Sequence, residues 1–259
     1  MVRGIENLKE YFAGYEDSYV IIGGTACDIH ETQFSQVPRA TKDIDIVLVV
    51  EALSDEFVQR FWQLILDGGY GERNLGVKND EEMKHEYYRF KNPSDKLFPY
   101  QLELFSRRLG MIHIPDSAHL TPIPTGEELS SLSAILMDDQ YYHFTLQHSA
   151  NIDGVHIAKL EALICLKAKA YLEMVERKEK DGTGDAKDIR KHKNDVYRLA
   201  TMLAVPDPIA LPTNLQEHLS AFLKATENDL PNRDFFKAAG TNGVTGEDAR
   251  NVLLNSFVL

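Results

Sequence analysis

Residues 43–50, Asp-Ile-Asp-Ile-Val-Leu-Val-Val, constrain this chain more than any other stretch. The polar members stand at the start and the second half is apolar on both faces, the pattern of a strand that begins at a wet edge and runs into a core. Asp is disfavoured in strands, so two of them beside the aliphatic run Val47-Leu48-Val49-Val50 need a reason to be there. Asp43 and Asp45 lie two apart, which sends both side chains to the same face with Cα atoms about 6.5–7 Å from each other. Like charges that close are costly unless a cation compensates them, and hard oxygen donors favour Mg²⁺ or Mn²⁺. A bare Asp-x-Asp also describes an amphipathic strand with its acids in solvent, so the surrounding segments decide.

Upstream, Tyr19-Val20-Ile21-Ile22 reads as a strand closed by Gly23-Gly24, with a helix over residues 25–31 leaving the double glycine. That order lets backbone N–H groups approach a phosphate, and Thr25 adds a hydroxyl. A plain tight turn has the same sequence. Arg39 and Lys42 precede the aspartates and suit either a phosphate or Asp43 and Asp45 themselves. Downstream, Tyr100-Gln101-Leu102-Glu103-Leu104-Phe105 alternates as a strand and offers Glu103 as a third acid, or as an ordinary solvated strand residue.

The remaining pattern predicts helices over 5–14 and 54–67 and a strand over 85–90, with a turn near residues 92–95. Short β-like segments follow at 133–137, 141–147 and 155–158. Helices are predicted over 160–180 and 186–203, separated by the breaker cluster Asp181-Gly182-Thr183-Gly184, and helical signals recur at 215–225 and 246–254. The tail from residue 206 carries no functional signal. The expectation is an α+β protein: a mixed-sheet domain over 1–158 and a mainly helical domain over 159–259.

Composition narrows the partners. With 43% hydrophobic and 26% charged residues in 259, a packed core is within reach. No apolar run approaches the roughly 20 residues that span a bilayer, and the first residues lack a signal-peptide pattern, so the expectation is a cytoplasmic protein without a membrane partner. Cys27 and Cys165 are the only cysteines, which excludes a disulfide scaffold or a four-cysteine zinc site and predicts no disulfide-linked partner. A formal charge of −12 disfavours nonspecific duplex binding, so any nucleic-acid contact must be local. Residues 167–198 run against that balance, with ten Lys and Arg against seven Asp and Glu; a salt-bridged helix pair has the same composition. Tyr87, Tyr88 and Phe90 form a candidate aromatic cluster for base stacking.

Taken together, the apolar strand, Gly-Gly, helix, Arg39-Ala40-Thr41-Lys42-Asp43-Ile44-Asp45-Ile46 and a later apolar-Glu-apolar strand resemble the nucleotidyltransferase superfamily with its polymerase-beta-like palm. With Ile22-Gly23-Gly24-Thr25-Ala26, the pattern looks most like the abortive-infection (AbiEii-like) branch. The resemblance implies that Gly23 and Gly24 contact a triphosphate, that Asp43 and Asp45 bind divalent Mg²⁺ or Mn²⁺, and that Glu103 completes the metal site. That branch also carries a Lys on a downstream helix and an Asp beyond a Lys/Arg-Asp pair. Here the matching stretches hold Lys167 and, past Lys187-Asp188, Asp195. Lys167 sits among Leu163, Ile164, Leu166 and Ala170, where an ammonium needs a phosphate or carboxylate partner or must snorkel to solvent. Asp195 or Asp188 is the candidate to orient it, and neighbouring His192 reads as a surface residue.

The implied activity is transfer of a nucleoside monophosphate from an NTP co-substrate to an acceptor hydroxyl. The branch suggests a toxin-like enzyme acting on RNA, such as a tRNA 3′ end, with a cognate antitoxin. A small-molecule or protein hydroxyl remains open as acceptor. The alternative is a catalytically inactive nucleotide-binding or regulatory module of the same fold, and a metal phosphohydrolase is a third reading.

Overall fold

The computed structural model describes residues 2–70, 89–107, 120–123, 132–183 and 185–259. The chain clusters into two compact units, Met1–Thr25 with Ala40–Ala158, and Ala26–Arg39 with Lys159–Leu259. It is an α+β protein.

The first unit opens with α1 (Ile5–Phe12), a short 3-10 turn and β1 (Tyr19–Ile22), which leads directly into α2 (Gly23–Gln33). Next come β2 (Asp43–Leu48), α3 (Asp55–Asp67), β3 (Arg89–Lys91), β4 (Gln101–Ser106), β5 (Leu120–Ile123), β6 (Leu132–Leu136), α4 (Asp139–Gln147), β7 (Ser149–Ile152) and β8 (Val155–Ala158). Among the described residues these strands form one mixed eight-stranded sheet in the order β5-β6-β4-β2-β1-β8-β7, with β3 on the edge of β4. β2 runs parallel to β4 and antiparallel to β1.

The hydrophobic pattern explains the placement. All four residues of β1 are buried, and β2 alternates half-buried Asp43 and Asp45 with buried Ile44 and Ile46 before becoming buried on both faces. α3 starts where the Ser54 side chain accepts a hydrogen bond from the Phe57 amide, with Asp55 and Glu56 favourably placed in its first turn. Its apolar stripe carries Phe57 to within 5.0 Å of Phe12 and Phe61 to within 5.4 Å of Phe90, ring centre to ring centre. Each such fully buried ring contributes about 1.5–3 kcal/mol from area removed from water.

Residues 141–147 are helical rather than a strand. Asp138 accepts hydrogen bonds from the Gln140 and Tyr141 amides at 2.9 and 3.3 Å, and this N-cap overrides the β preference of Tyr-Tyr-His-Phe-Thr.

The second unit is built on α5 (Leu160–Asp181) and α6 (Ala186–Ala200), followed by β9 (Ile209–Ala210), α7 (Thr213–Ala225), α8 (Arg233–Ala238), α9 (Gly246–Ser256) and β10 (Phe257–Val258). α5 packs against both α6 and α7, and β9 pairs in parallel with β10. α5 ends at Gly182, whose φ of 72° suits only a glycine without strain, and Asp185 caps the start of α6. The short α8 and the β9–β10 pair were not legible from the tail's Pro and Gly punctuation.

The division differs from a single cut after residue 158, because Ala26–Arg39 belongs with the helical unit. Three ties hold it there: the Glu31 carboxylate lies 3.1 Å from Arg198, the Gln36 amide donates to the Thr201 hydroxyl at 2.9 Å, and the Val37 amide donates to the Ala239 carbonyl.

Candidate functional site

Strand register brings the three sequence-predicted acids of the first unit to one face. Asp43 lies opposite Gln101 and Asp45 opposite Glu103 on the parallel neighbour. Because side chains alternate, Asp43, Asp45, Gln101 and Glu103 all project the same way, with adjacent strands about 4.8 Å apart. On the other side of β2, Asp45 pairs with Ile22, the last residue before the double glycine.

The double glycine is fitted to this face. Gly23 has φ +68°, and a Cβ built on it would lie 1.9 Å from Asp45 Oδ2. Only glycine lets the carboxylate rest against the backbone where α2 begins. Thr25 is fully buried and its hydroxyl donates to the Asp43 carbonyl at 2.8 Å. It therefore positions β2, instead of offering a proton to a phosphate as the sequence suggested. Lys42 is exposed, with its ammonium 5.7 Å from the centre of the Tyr100 ring.

Glu103 is engaged. Arg89 Nε stands 2.6 Å from its Oε1, and the Gln101 side-chain amide donates to the same oxygen at 2.6 Å. Arg89 reaches it because β3 pairs antiparallel with β4 in a register that sets Arg89 opposite Glu103. Asp43 and Asp45 share one face of β2, and carboxylate oxygens are the donor type that hard divalent cations take. Glu103, on the same face, is held through Oε1 by Arg89 and Gln101. As the side chains stand, no three acid, His or Cys groups among the described residues gather closely enough to hold an ion. Arg89 was not singled out in the sequence, where it is one residue of an alternating strand.

Lys167, Asp195 and Arg39 form a separate cluster within the second unit. Lys167 and Asp195 are both buried, with Nζ 3.2 Å from Oδ2, and Arg39 Nε lies 3.3 Å from Asp195 Oδ1. Of the two readings for Lys167, the partnered ammonium is observed and the snorkelling one is not: its partner is a carboxylate. Nearby in the same unit, Glu31 and Arg198 are buried together; the guanidinium Nε is close enough for an ion pair but is not aligned for a hydrogen bond. Burial pushes the Glu31 carboxyl up to about 7, against the lowering influence of Arg198 and of the Arg39 amide that donates to it.

His192 is not a surface residue. Its ring is largely withdrawn from solvent and its Nδ1 is buried without a hydrogen-bond partner. Burial first, and then the Lys167 ammonium, push it down to about 4, so the ring is neutral near pH 7. Cys27 and Cys165 are buried free thiols, Cys27 pushed up to about 12 chiefly by burial.

The aromatic cluster divides. Tyr87 and Tyr88 lie outside the described residues, and Phe90 is fully buried against Phe61 and Trp62, a core position instead of a base platform. The basic stretch 167–198 is partly spent on ion pairs, among them Lys180 with Glu176 and Lys193 with Asp229, each at 2.5 Å. No helix among the described residues is long and apolar enough to cross a membrane.

Compared with known proteins, the chain matches no family model and no curated relative.

Proposed function

We propose that the protein is a metal-dependent nucleotidyltransferase that moves a nucleoside monophosphate from an NTP to an acceptor hydroxyl. The observation that carries this reading is the register setting Asp45 beside Glu103 on the face shared with Asp43, with Gly23 fitted against the Asp45 carboxylate. In it, Asp43 and Asp45 hold Mg²⁺ or Mn²⁺, which when bound neutralises triphosphate charge and eases deprotonation of the acceptor. The backbone N–H groups at Gly23 and Gly24, where α2 opens, are the donors that would meet a phosphate. Thr25 fixes the start of β2 through the Asp43 carbonyl, so the aspartate backbone does not drift. Glu103 completes the donor set when it parts from Arg89.

The test is incubation with each α-labelled NTP, Mg²⁺ and cellular RNA, asking which macromolecule acquires label and whether pyrophosphate is released. A labelled tRNA 3′ end identifies RNA as the acceptor. The Asp43→Asn/Asp45→Asn protein should keep its fold and lose transfer; full activity in that variant overturns the reading. Of the cations expected to meet phosphate, Lys42 is exposed and enters the same assay, since Lys42→Gln should slow transfer in a folded protein, whereas Lys167 and Arg39 are paired with Asp195.

One observation favours a second reading. Glu103 bound to Arg89 suits a module that takes up a nucleotide without turnover. Nucleotide binding with no pyrophosphate released, whatever the acceptor, selects it.

A further inference from the structure

The helical unit contains a cavity of about 490 Å³ that none of the residues above explains. Its walls come from the second half of α5, the first half of α6 and the segment around residues 229–235. Three features define its chemistry. Tyr171 and Phe235 supply aromatic surface, neither of them fully buried. Lys178 and Arg190 stand exposed at the lining and form no ion pair among the described residues. Lys193 is buried, with its ammonium donating to both the carbonyl and the carboxylate of Asp229 at 2.7 and 2.5 Å, so this third cation is already neutralised.

That arrangement selects among ligands. The volume falls in the range that holds a small organic molecule, roughly 300–1,000 Å³. Two uncompensated cations in a chain of net charge −12 favour an anion, and a guanidinium and an ammonium lining one cavity suit phosphate oxygens better than an isolated carboxylate. The aromatic lining adds a requirement that inorganic phosphate does not meet: a flat ring to lie against Tyr171 or Phe235. The Tyr171 hydroxyl makes no hydrogen bond to the described residues, so it is free to donate to a ring edge or a sugar.

We propose that this cavity is a nucleotide site, taking one base with its phosphate, with Lys178 and Arg190 on the phosphate and Tyr171 and Phe235 on the base. It is distinct from the acid cluster of the first unit and needs no metal. The same chemistry arises from a free mononucleotide or from one unit of a single-stranded RNA.

Isothermal titration of the full chain in EDTA tests this, with AMP, adenosine, inorganic phosphate and a ten-nucleotide RNA as probes. AMP or the RNA should bind, and adenosine and phosphate should each bind more weakly. Tighter binding of the RNA than of AMP places the site on a strand, and the reverse assigns it to free nucleotide. The exposed double substitution Lys178→Ala/Arg190→Ala should weaken binding by about tenfold or more, and also flatten its salt dependence. Phe235→Leu should weaken AMP and leave phosphate unchanged. The Asp43→Asn/Asp45→Asn protein should bind as well as the parent, which separates this site from the proposed transfer chemistry. The proposal is overturned by no binding in EDTA, by phosphate binding as tightly as AMP, or by binding indifferent to Lys178→Ala/Arg190→Ala. Transfer is read separately in Mg²⁺, so binding in EDTA, present or absent, leaves the nucleotidyltransferase reading to its own assay.

Discussion

Replacing Gly23 by alanine probes the tightest steric relation in the first unit. Gly23 has φ +68°, and an added Cβ would fall 1.9 Å from Asp45 Oδ2 and 2.8 Å from its Cγ. Two costs follow. Holding an L residue in the left-handed region costs about 1–2 kcal/mol. Forcing a methyl into occupied space costs about 1–3 kcal/mol more, unless Asp45 swings away. The expected loss is therefore about 2–5 kcal/mol. In an Asp45→Ala background the two closest atoms are gone and only Cβ remains, 3.2 Å away, so the same substitution should cost little beyond the backbone share of about 1–2 kcal/mol.

The assay is convenient because Trp62 is the only tryptophan and lies on α3 of the first unit. Its fluorescence in urea reports unfolding of that unit, and comparison of midpoints at unchanged slope gives the coupling between Gly23 and Asp45. A coupling of about 1–3 kcal/mol is expected from the steric share alone. An equal cost in both backgrounds would show that the carboxylate does not rest against Gly23, and the fit between the double glycine and the acid face would fall with it.

Arg89→Gln should tighten Mn²⁺ binding, read by electron paramagnetic resonance of the free ion, because it removes the cation that holds Glu103; unchanged or weaker binding would refute a competing role. Lys167→Met should destabilise the helical unit by about 3 kcal/mol, measured by loss of helical circular dichroism in urea, since a buried carboxylate loses one of its cations. Arg39 beside Asp195 keeps the loss from being larger, and a neutral effect would show that the pair contributes nothing. Two buried groups give opposite pH slopes. Glu31 is raised from 4.5 to about 7, so the helical unit loses stability as pH rises through that window, whereas His192 is lowered from 6.5 to about 4, so stability is lost as pH falls through its own. Glu31→Gln should leave a curve that climbs with pH to about 6.5, and His192→Asn one that declines from about 4.5 to 7, both followed by urea midpoints; matching slopes in the two variants would contradict the assignment.

Local pattern carried much of the fold because it rests on short-range physics. β1 over 19–22 and the start of β2 at 43 follow from β-branched runs bounded by breakers, and α5 follows from a long helical period closed by a glycine. Residues 141–147 misled because one side chain, Asp138, outweighs the strand preference of the aromatic residues after it. The union of 26–39 with the helical unit depends on Glu31, Gln36 and Arg39 meeting partners more than 150 residues away, and no local period encodes such pairs. The site divided along the same line. The common face of Asp43 and Asp45 is a consequence of spacing, whereas Arg89 against Glu103 is a product of strand pairing, and His192 looks exposed until the packing around α6 is known.

The charge on the acid face bears on why a double glycine stands beside it. Among the described residues Asp43, Asp45 and Glu103 share this face with Arg89 and Lys91, so acids outnumber cations there and the face does not by itself favour a triphosphate. Side-chain cations close to the aspartates would pair with them instead, as Arg89 already does with Glu103. Backbone N–H groups at the start of an eleven-residue helix attract phosphate without offering the aspartates a full positive charge. They are accessible only where no Cβ intervenes, which is the condition that Gly23 meets. On the proposed reading the double glycine and the aspartate pair are one device: the residue that would admit a phosphate is the residue that admits the Asp45 carboxylate, and a substitution there should disturb both at once.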